Sequence, residues 1–182
     1  MDKRIIKTQD AIFNAFAVLI NNKDYDDITI QDIIDESNIG RSTFYMHFKT
    51  KDELLSKISE NIFNHVFSQT LTEEKSHDFS KSNIFDYKHL ITHTLYHIRD
   101  EKDLIKGIMS SKGNDVFLKS FKAYLRNLAD SYFNNYRYSD NIPLELKKEL
   151  LIDNFIVLIR YWINDGFMET PEKLTDYFVS LI

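Results

Sequence analysis

Between Ser37 and Lys51 the chain places Arg41, Lys49 and Lys51, with His47 among them, in a stretch that contains no acidic residue. Arg41 carries a fork that can read guanine or grip phosphate. Ser42, Thr43 and Tyr45 add hydroxyls, and Lys51 falls where a helix begins, next to backbone amides that favour anions. This is chemistry for holding a polyanion, not for breaking bonds. Residues 1–50 as a whole hold six basic and eight acidic side chains, so the local positive potential stands against a background that discourages docking elsewhere. Taken alone, such a stretch also fits a solvated helix face.

A second constellation is His89, His93 and His97, spaced so that a helix can offer them as metal ligands. Tyr87, Leu90, Ile91, Leu95 and Ile98 centre on the opposite side at about 100° per residue, which puts the histidines on a polar flank. No nearby carboxylate completes a site, so the expected metal is none, with these histidines as a poor candidate. Nothing else suggests catalysis. The chain has 4 glycines and no cysteine, and it shows no phosphate-cradling loop, nucleophile elbow or metalloprotease helix. We expect no enzyme, no catalytic residue and no cofactor.

The elements that must position these residues are helices. Of 182 residues, 43% are hydrophobic and only 4 Gly and 2 Pro interrupt them, which favours an all-α fold of about nine helices. Ile5, Ile12, Phe16, Leu19 and Ile20 mark a first amphipathic helix over Arg4 to Asn22. Thr29 caps a short second helix with Ile30, Ile33 and Ile34 inside, and Asn38 and Gly40 suit the turn that follows. A third short helix runs from Arg41 to about Phe48. Thr50 and Glu53 have capping-box spacing, opening a fourth helix through Leu54, Leu55, Ile58, Ile62, Phe63 and Val66. Residues 68–83 are polar and read as a loop. Four more apolar-periodic stretches lie near 84–99, 104–109, 115–135 and 143–164, and a ninth helix follows. Pro143 and Pro171 suit first helical turns, and Gly166 suits a helix stop.

A short capped helix, a tight turn and a short polar-faced helix make a helix-turn-helix, whose second helix enters the major groove. Thr43-Phe44-Tyr45-Met46-His47-Phe48 followed by Lys51-Asp52-Glu53-Leu54-Leu55 resembles the signature of the tetracycline-repressor (TetR) family, over roughly residues 5–58. Departures are Asp24 and Asn38 where that family usually has glycine, and Gly40 where serine is common. The resemblance implies a DNA-binding domain over 1–50, with the motif at 29–48, and a helical ligand-binding and dimerisation domain over 51–182. It implies phosphate contacts from Thr29 and Lys51, and places Arg41, Ser42, Thr43, Tyr45 and His47 on or beside DNA. Lys49 belongs to the same basic stretch.

In the second domain, Phe155, Leu158, Ile159, Trp162 and Ile163 share one face of the eighth helix, while Val157 and Tyr161 extend its apolar character onto another. The resemblance would use this helix and the last one (Leu174, Tyr177, Phe178) as a dimer interface; a plain core helix fits equally. Phe117, Phe121 and Tyr124, with Tyr132 and Phe133, suit either an apolar ligand pocket or ordinary core.

The expected function is therefore a ligand-responsive repressor that binds palindromic operator DNA as a homodimer. Its partners would be double-stranded DNA, a second copy and a small apolar or aromatic effector. The net charge of −5 argues against general nucleic-acid affinity. The alternative is an adaptor with the same fold that works through a protein partner. The residues after Met1 lack the unbroken apolar run of a secretory leader, and no run approaches the ~18 residues of a membrane span, so the expected location is the cytoplasm.

Overall fold

A computed structural model describes residues 3–63, 78, 86–111, 113–135 and 141–181. Its described residues form α1 (Lys3–Ile20), a 3₁₀ turn η1 (Tyr25–Asp27), α2 (Ile30–Ser37), α3 (Arg41–His47), α4 (Lys51–Phe63), α5 (Tyr87–Asp100), α6 (Lys102–Met109), α7 (Asn114–Asn135), α8 (Leu144–Asn164) and α9 (Pro171–Leu181). The architecture is all-helical, as the composition implied. Val66, the expected loop at 68–83 apart from Asp78, and the side chains of Tyr132 and Phe133 lie outside the described residues.

The chain divides into two compact units, one of Met1–Glu60 with Asp103–Ser120, the other of Asn61–Lys102 with Phe121–Ile182. In the first unit, α1 packs on α2 and α2 on α3. Ile12, Ala15, Phe16 and Ile20 of α1 are buried with Ile33 and Ile34 of α2, Phe44 and Phe48 around α3, and Leu54, Leu55 and Ile58 of α4. Three- and four-residue spacing lines each set along one helix face, which is why these short helices bury enough apolar surface to hold.

Between α1 and α2 the chain does something the periodicity did not announce. Asp24 precedes η1, and Tyr25 inserts into the core at 5% exposure, edge-on to Phe16 with ring centroids 6.2 Å apart. Gly113, at the entrance to α7, lies flat against that ring. A Cβ there would come within 2.7 Å of it, and one at Gly107 within 3.0 Å of the Ile20 carbonyl. These glycines let α6 and the start of α7 approach α1 and η1 closely.

In the second unit α9 packs on α5 and α8, with Thr92 and Thr175 hydroxyls 2.8 Å apart and Phe155 edge-on to Phe178 at 5.2 Å. Lys122–Asp153 at 2.8 Å and Lys148–Asp130 at 2.7 Å link α7 to α8 on the outside. The Trp162 indole N–H donates to the Glu169 carbonyl at 2.9 Å, tying α8 to the turn in which Gly166 and Phe167 adopt positive φ.

The histidines are where sequence and structure part. His93 and His97 are buried at 2% and 7% exposure, not on a polar flank, and their Nε2 atoms are 3.0 Å apart. The reason is that α5 buries most of its circumference: Leu90, Ile91, His93, Thr94, Leu95, His97 and Ile98 are all inside, so no single apolar face defines an outside. His89 instead faces solvent near Asp86. Among the described residues, no group of three or more His, Asp or Glu is placed to hold a metal ion.

Candidate nucleic-acid interface

The helix-turn-helix is built from a strong local signal. Thr29 caps α2: the Asp32 N–H donates to its hydroxyl at 3.1 Å, and its own N–H donates to the Asp32 carboxylate at 2.8 Å. The Thr29 amide and the Lys23 ammonium at 3.0 Å hold the Asp32 carboxyl down at about 2. Asn38 ends the helix in the left-handed conformation, φ 52°, ψ 41°, a geometry its short polar side chain tolerates. Gly40 then opens α3.

On α3, Phe44 and Phe48 turn inward at 0% and 2% exposure, with rings 6.0 Å apart. At about 100° per residue this directs Ser42 and Met46 away from the core, while Arg41, at the first position of the helix, and Tyr45 lie together along one flank, and all four are exposed. Thr43 and His47 sit at the margins, half-buried, and Lys49 is exposed just beyond. The Arg41 guanidinium donates to the Gln31 side-chain carbonyl at 3.3 Å, and the Gln31 amide donates to Asp35 at 2.7 Å. Its carbon also lies 5.9 Å from the Tyr45 ring centroid. A relay from α2 thus orients the one arginine of α3. Sequence reasoning missed Gln31, because only the crossing of α2 and α3 brings it to Arg41.

The residues expected to hold phosphates at either end are differently employed. The Thr29 amide and hydroxyl both engage Asp32. The Lys51 ammonium donates to the carbonyls of Tyr25 and Ile28 and lies 4.1 Å above the Tyr25 ring, while the Tyr25 hydroxyl donates to Asp52. Burial lowers the Lys51 pKa against the pull of Asp26, Asp52, Asp27 and Asp32. Burial, followed by the Asp52 carboxylate, pushes the Tyr25 phenol above its ordinary range.

In the second unit, the residues expected at a dimer interface mostly face the chain's own core: Phe155, Leu158, Ile159, Trp162, Leu174 and Phe178 are each at most 6% exposed. Tyr177 is half-buried and donates to Glu169 at 3.1 Å. The reason is that α7 and α9 already cover this face of α8. The other face stays bare, with Leu146, Leu150, Val157 and Tyr161 at 50–63% exposure.

The aromatics expected to line a pocket are also core. Phe117 and Phe121 are 1% and 2% exposed, and the Tyr124 hydroxyl lies 3.0 Å from that of Thr94. A small apolar cavity in the second unit is lined by Tyr87, Ile91, Leu125, Leu128, Ala129, Leu151, Ile152, Phe155 and Phe178.

Comparison with known proteins agrees with this geometry. Residues 12–58 match the family described as bacterial regulatory proteins, tetR family, and residues 85–182 match a transcriptional regulator C-terminal region of TetR type. An uncharacterized HTH-type transcriptional regulator of Bacillus subtilis, YxbF, is 36% identical over the whole chain, which spans 46% of that relative's length. The biofilm operon negative regulator IcaR of Staphylococcus epidermidis is 23% identical over 85% of this chain and 81% of its own. The crystal structure of a TetR transcriptional regulator from Streptococcus agalactiae superposes with a TM-score of 0.73 at 30% identity, covering 99% of this chain and 96% of that one. These relatives are described as regulators of transcription. With both halves of the chain matched and the fold shared throughout, this protein belongs to the TetR family of DNA-binding transcriptional regulators.

Proposed function

We propose that this protein is a ligand-responsive repressor that binds a palindromic operator as a homodimer, in the cytoplasm. Residues 1–50 act as the DNA-binding domain and 51–182 as the ligand-binding and dimerisation domain. The observation that carries the reading is the exposed surface of α3. Arg41, Ser42 and Tyr45 stand exposed in a stretch free of acids, from Ser37 to Lys51, flanked by Thr43, His47 and Lys49. This is the donor set that base edges and phosphates require. Thr29 and Lys51 support it from beneath by shaping the ends of the motif.

A second copy supplies the second reader. The bare stripe of Leu146, Leu150, Val157 and Tyr161 along α8 supports an isologous interface, since one helix face of this kind meets its own copy across a two-fold axis. The apolar cavity lined by Ile91, Leu125 and Phe155 supports a small apolar or aromatic effector. Such an effector must bind the two conformations unequally, typically by ~1–3 kcal/mol of coupling. Repression as the sign of control rests on the likeness to IcaR.

The test is selection of genomic fragments bound by the full chain, then fluorescence anisotropy on the best site with salt varied and Arg41→Ala alongside. Salt-sensitive binding to a palindrome, lost in the variant, is the expected result. Binding indifferent to sequence and to Arg41 would overturn the reading in favour of an adaptor that works through a protein. Transcript levels of the neighbouring genes in a deletion strain read the sign directly.

A further inference from the structure

We infer that Met46 is a specificity-determining residue that reads thymine by its methyl group in the major groove. The inference rests on the proposed DNA-reading function of α3.

Met46 is 77% exposed, far more than the other large apolar residues standing out from the first unit: Val18 at 49%, Tyr45 at 43%, Ile5 at 42% and Ile6 at 41%. It stands one turn beyond Ser42 on the face directed away from Phe44 and Phe48, while Arg41 and Tyr45 are exposed along the neighbouring flank of the same helix. Folding does not use it, because Phe44 and Phe48 already fill the inward side of α3. Long side chains on a helix lean back towards its N-terminus. The thioether therefore covers the turn around Ser42, at the end of a reader helix that meets base edges.

The chemistry of the groove narrows what Met46 can meet there. Major-groove edges present N7, O6 and O4 acceptors and amino donors, and the single apolar group among them is the C5-methyl of thymine. A methionine has no strong donor or acceptor to offer the others, whereas its unbranched, polarisable chain adapts to a methyl group. Arg41, exposed on the flank of the same helix beside Tyr45, offers a fork suited to guanine. The rigid helix thus carries an apolar reader at a fixed rotation from its polar ones, and the operator should carry thymine at a fixed offset from the base that Arg41 meets.

The experiment uses the full chain and the operator recovered by selection. Each thymine of one half-site is replaced in turn by deoxyuridine, which removes only the methyl group, and anisotropy is read for wild type, Met46→Ala and Met46→Leu. For wild type, one or two positions should weaken binding about three- to fivefold, the scale of one buried methyl group. Met46→Ala should bind the thymine operator correspondingly less well and no longer distinguish uracil there, while Met46→Leu keeps the distinction. Circular dichroism should show all three proteins equally folded, since the side chain is solvent-exposed. Equal sensitivity in wild type and Met46→Ala, or no sensitive thymine in wild type, would overturn the inference and leave the DNA-reading function intact. Failure of wild type to prefer any sequence would overturn both.

Discussion

The Lys51 ammonium donates to the carbonyl of Ile28 at 2.8 Å, across 23 residues of sequence. This contact, with its companion to Tyr25, closes the free carbonyl end of the segment between α1 and α2 from the first residue of α4. A lysine at the start of α4 is thereby structural as well as basic.

Replacing it should consequently show in stability first. Lys51→Met leaves partly buried carbonyls without their charged donor and should cost about 1–2 kcal/mol, read as a lower midpoint in denaturant. The salt dependence of operator binding should barely change, whereas Arg41→Ala lowers the slope by about one. The opposite pattern, an unchanged midpoint with a lowered slope, would make Lys51 a phosphate ligand after all.

Gly113 gives a steric prediction. Its missing Cβ is the space that the Tyr25 ring occupies, and that ring is held by Asp52 on one side and Lys51 on the other. Gly113→Ala should destabilise by about 1–3 kcal/mol and lower the melting temperature by several degrees. A melting curve superimposable on wild type would show that the ring moves aside freely.

Acid should loosen α2 through Asp32. Its carboxyl sits at about 2, below the ordinary 3.8 of an aspartate, so the stabilisation is fully present above the unfolded value and is lost as pH falls through the folded one. Between about pH 4 and pH 2 wild type should lose this contribution, and Asp32→Asn should lack that part of the pH dependence. Parallel stability profiles for the two proteins in that range would rule the contribution out.

The two faces of α8 should respond oppositely. Val157→Glu or Tyr161→Glu alters the bare stripe and should leave the fold intact while shifting sedimentation from dimer to monomer. Phe178→Ala empties a 1%-exposed site and should cost about 3–5 kcal/mol. A dimer that survives both glutamates would move the interface elsewhere.

Much of this was legible in the residues themselves. The Thr29 cap, the left-handed turn at Asn38 and the inward Phe44 and Phe48 follow from local rules: hydrogen-bond needs of a helix end, tolerance of positive φ, and helical spacing. They required no knowledge of neighbouring elements. For the same reason the acid-free run with its Arg41 could be read directly, since charge and spacing are properties of the chain.

What the tertiary structure decided is which helix faces are covered and by what. A wheel drawn for α5 assumes one inside and one outside, but this helix buries most of its circumference, and His93 and His97 are buried with the rest. On α8 both faces are apolar, and only packing against α7 and α9 determines that Phe155 and Trp162 serve the chain's own core while Val157 and Tyr161 stay bare. The joining of Gln31 to Arg41, Tyr25 to Asp52 and Gly113 to Tyr25 likewise depends on how helices cross. Periodicity states that a residue prefers company; the identity of that company is a long-range contact, which no local pattern in the sequence encodes.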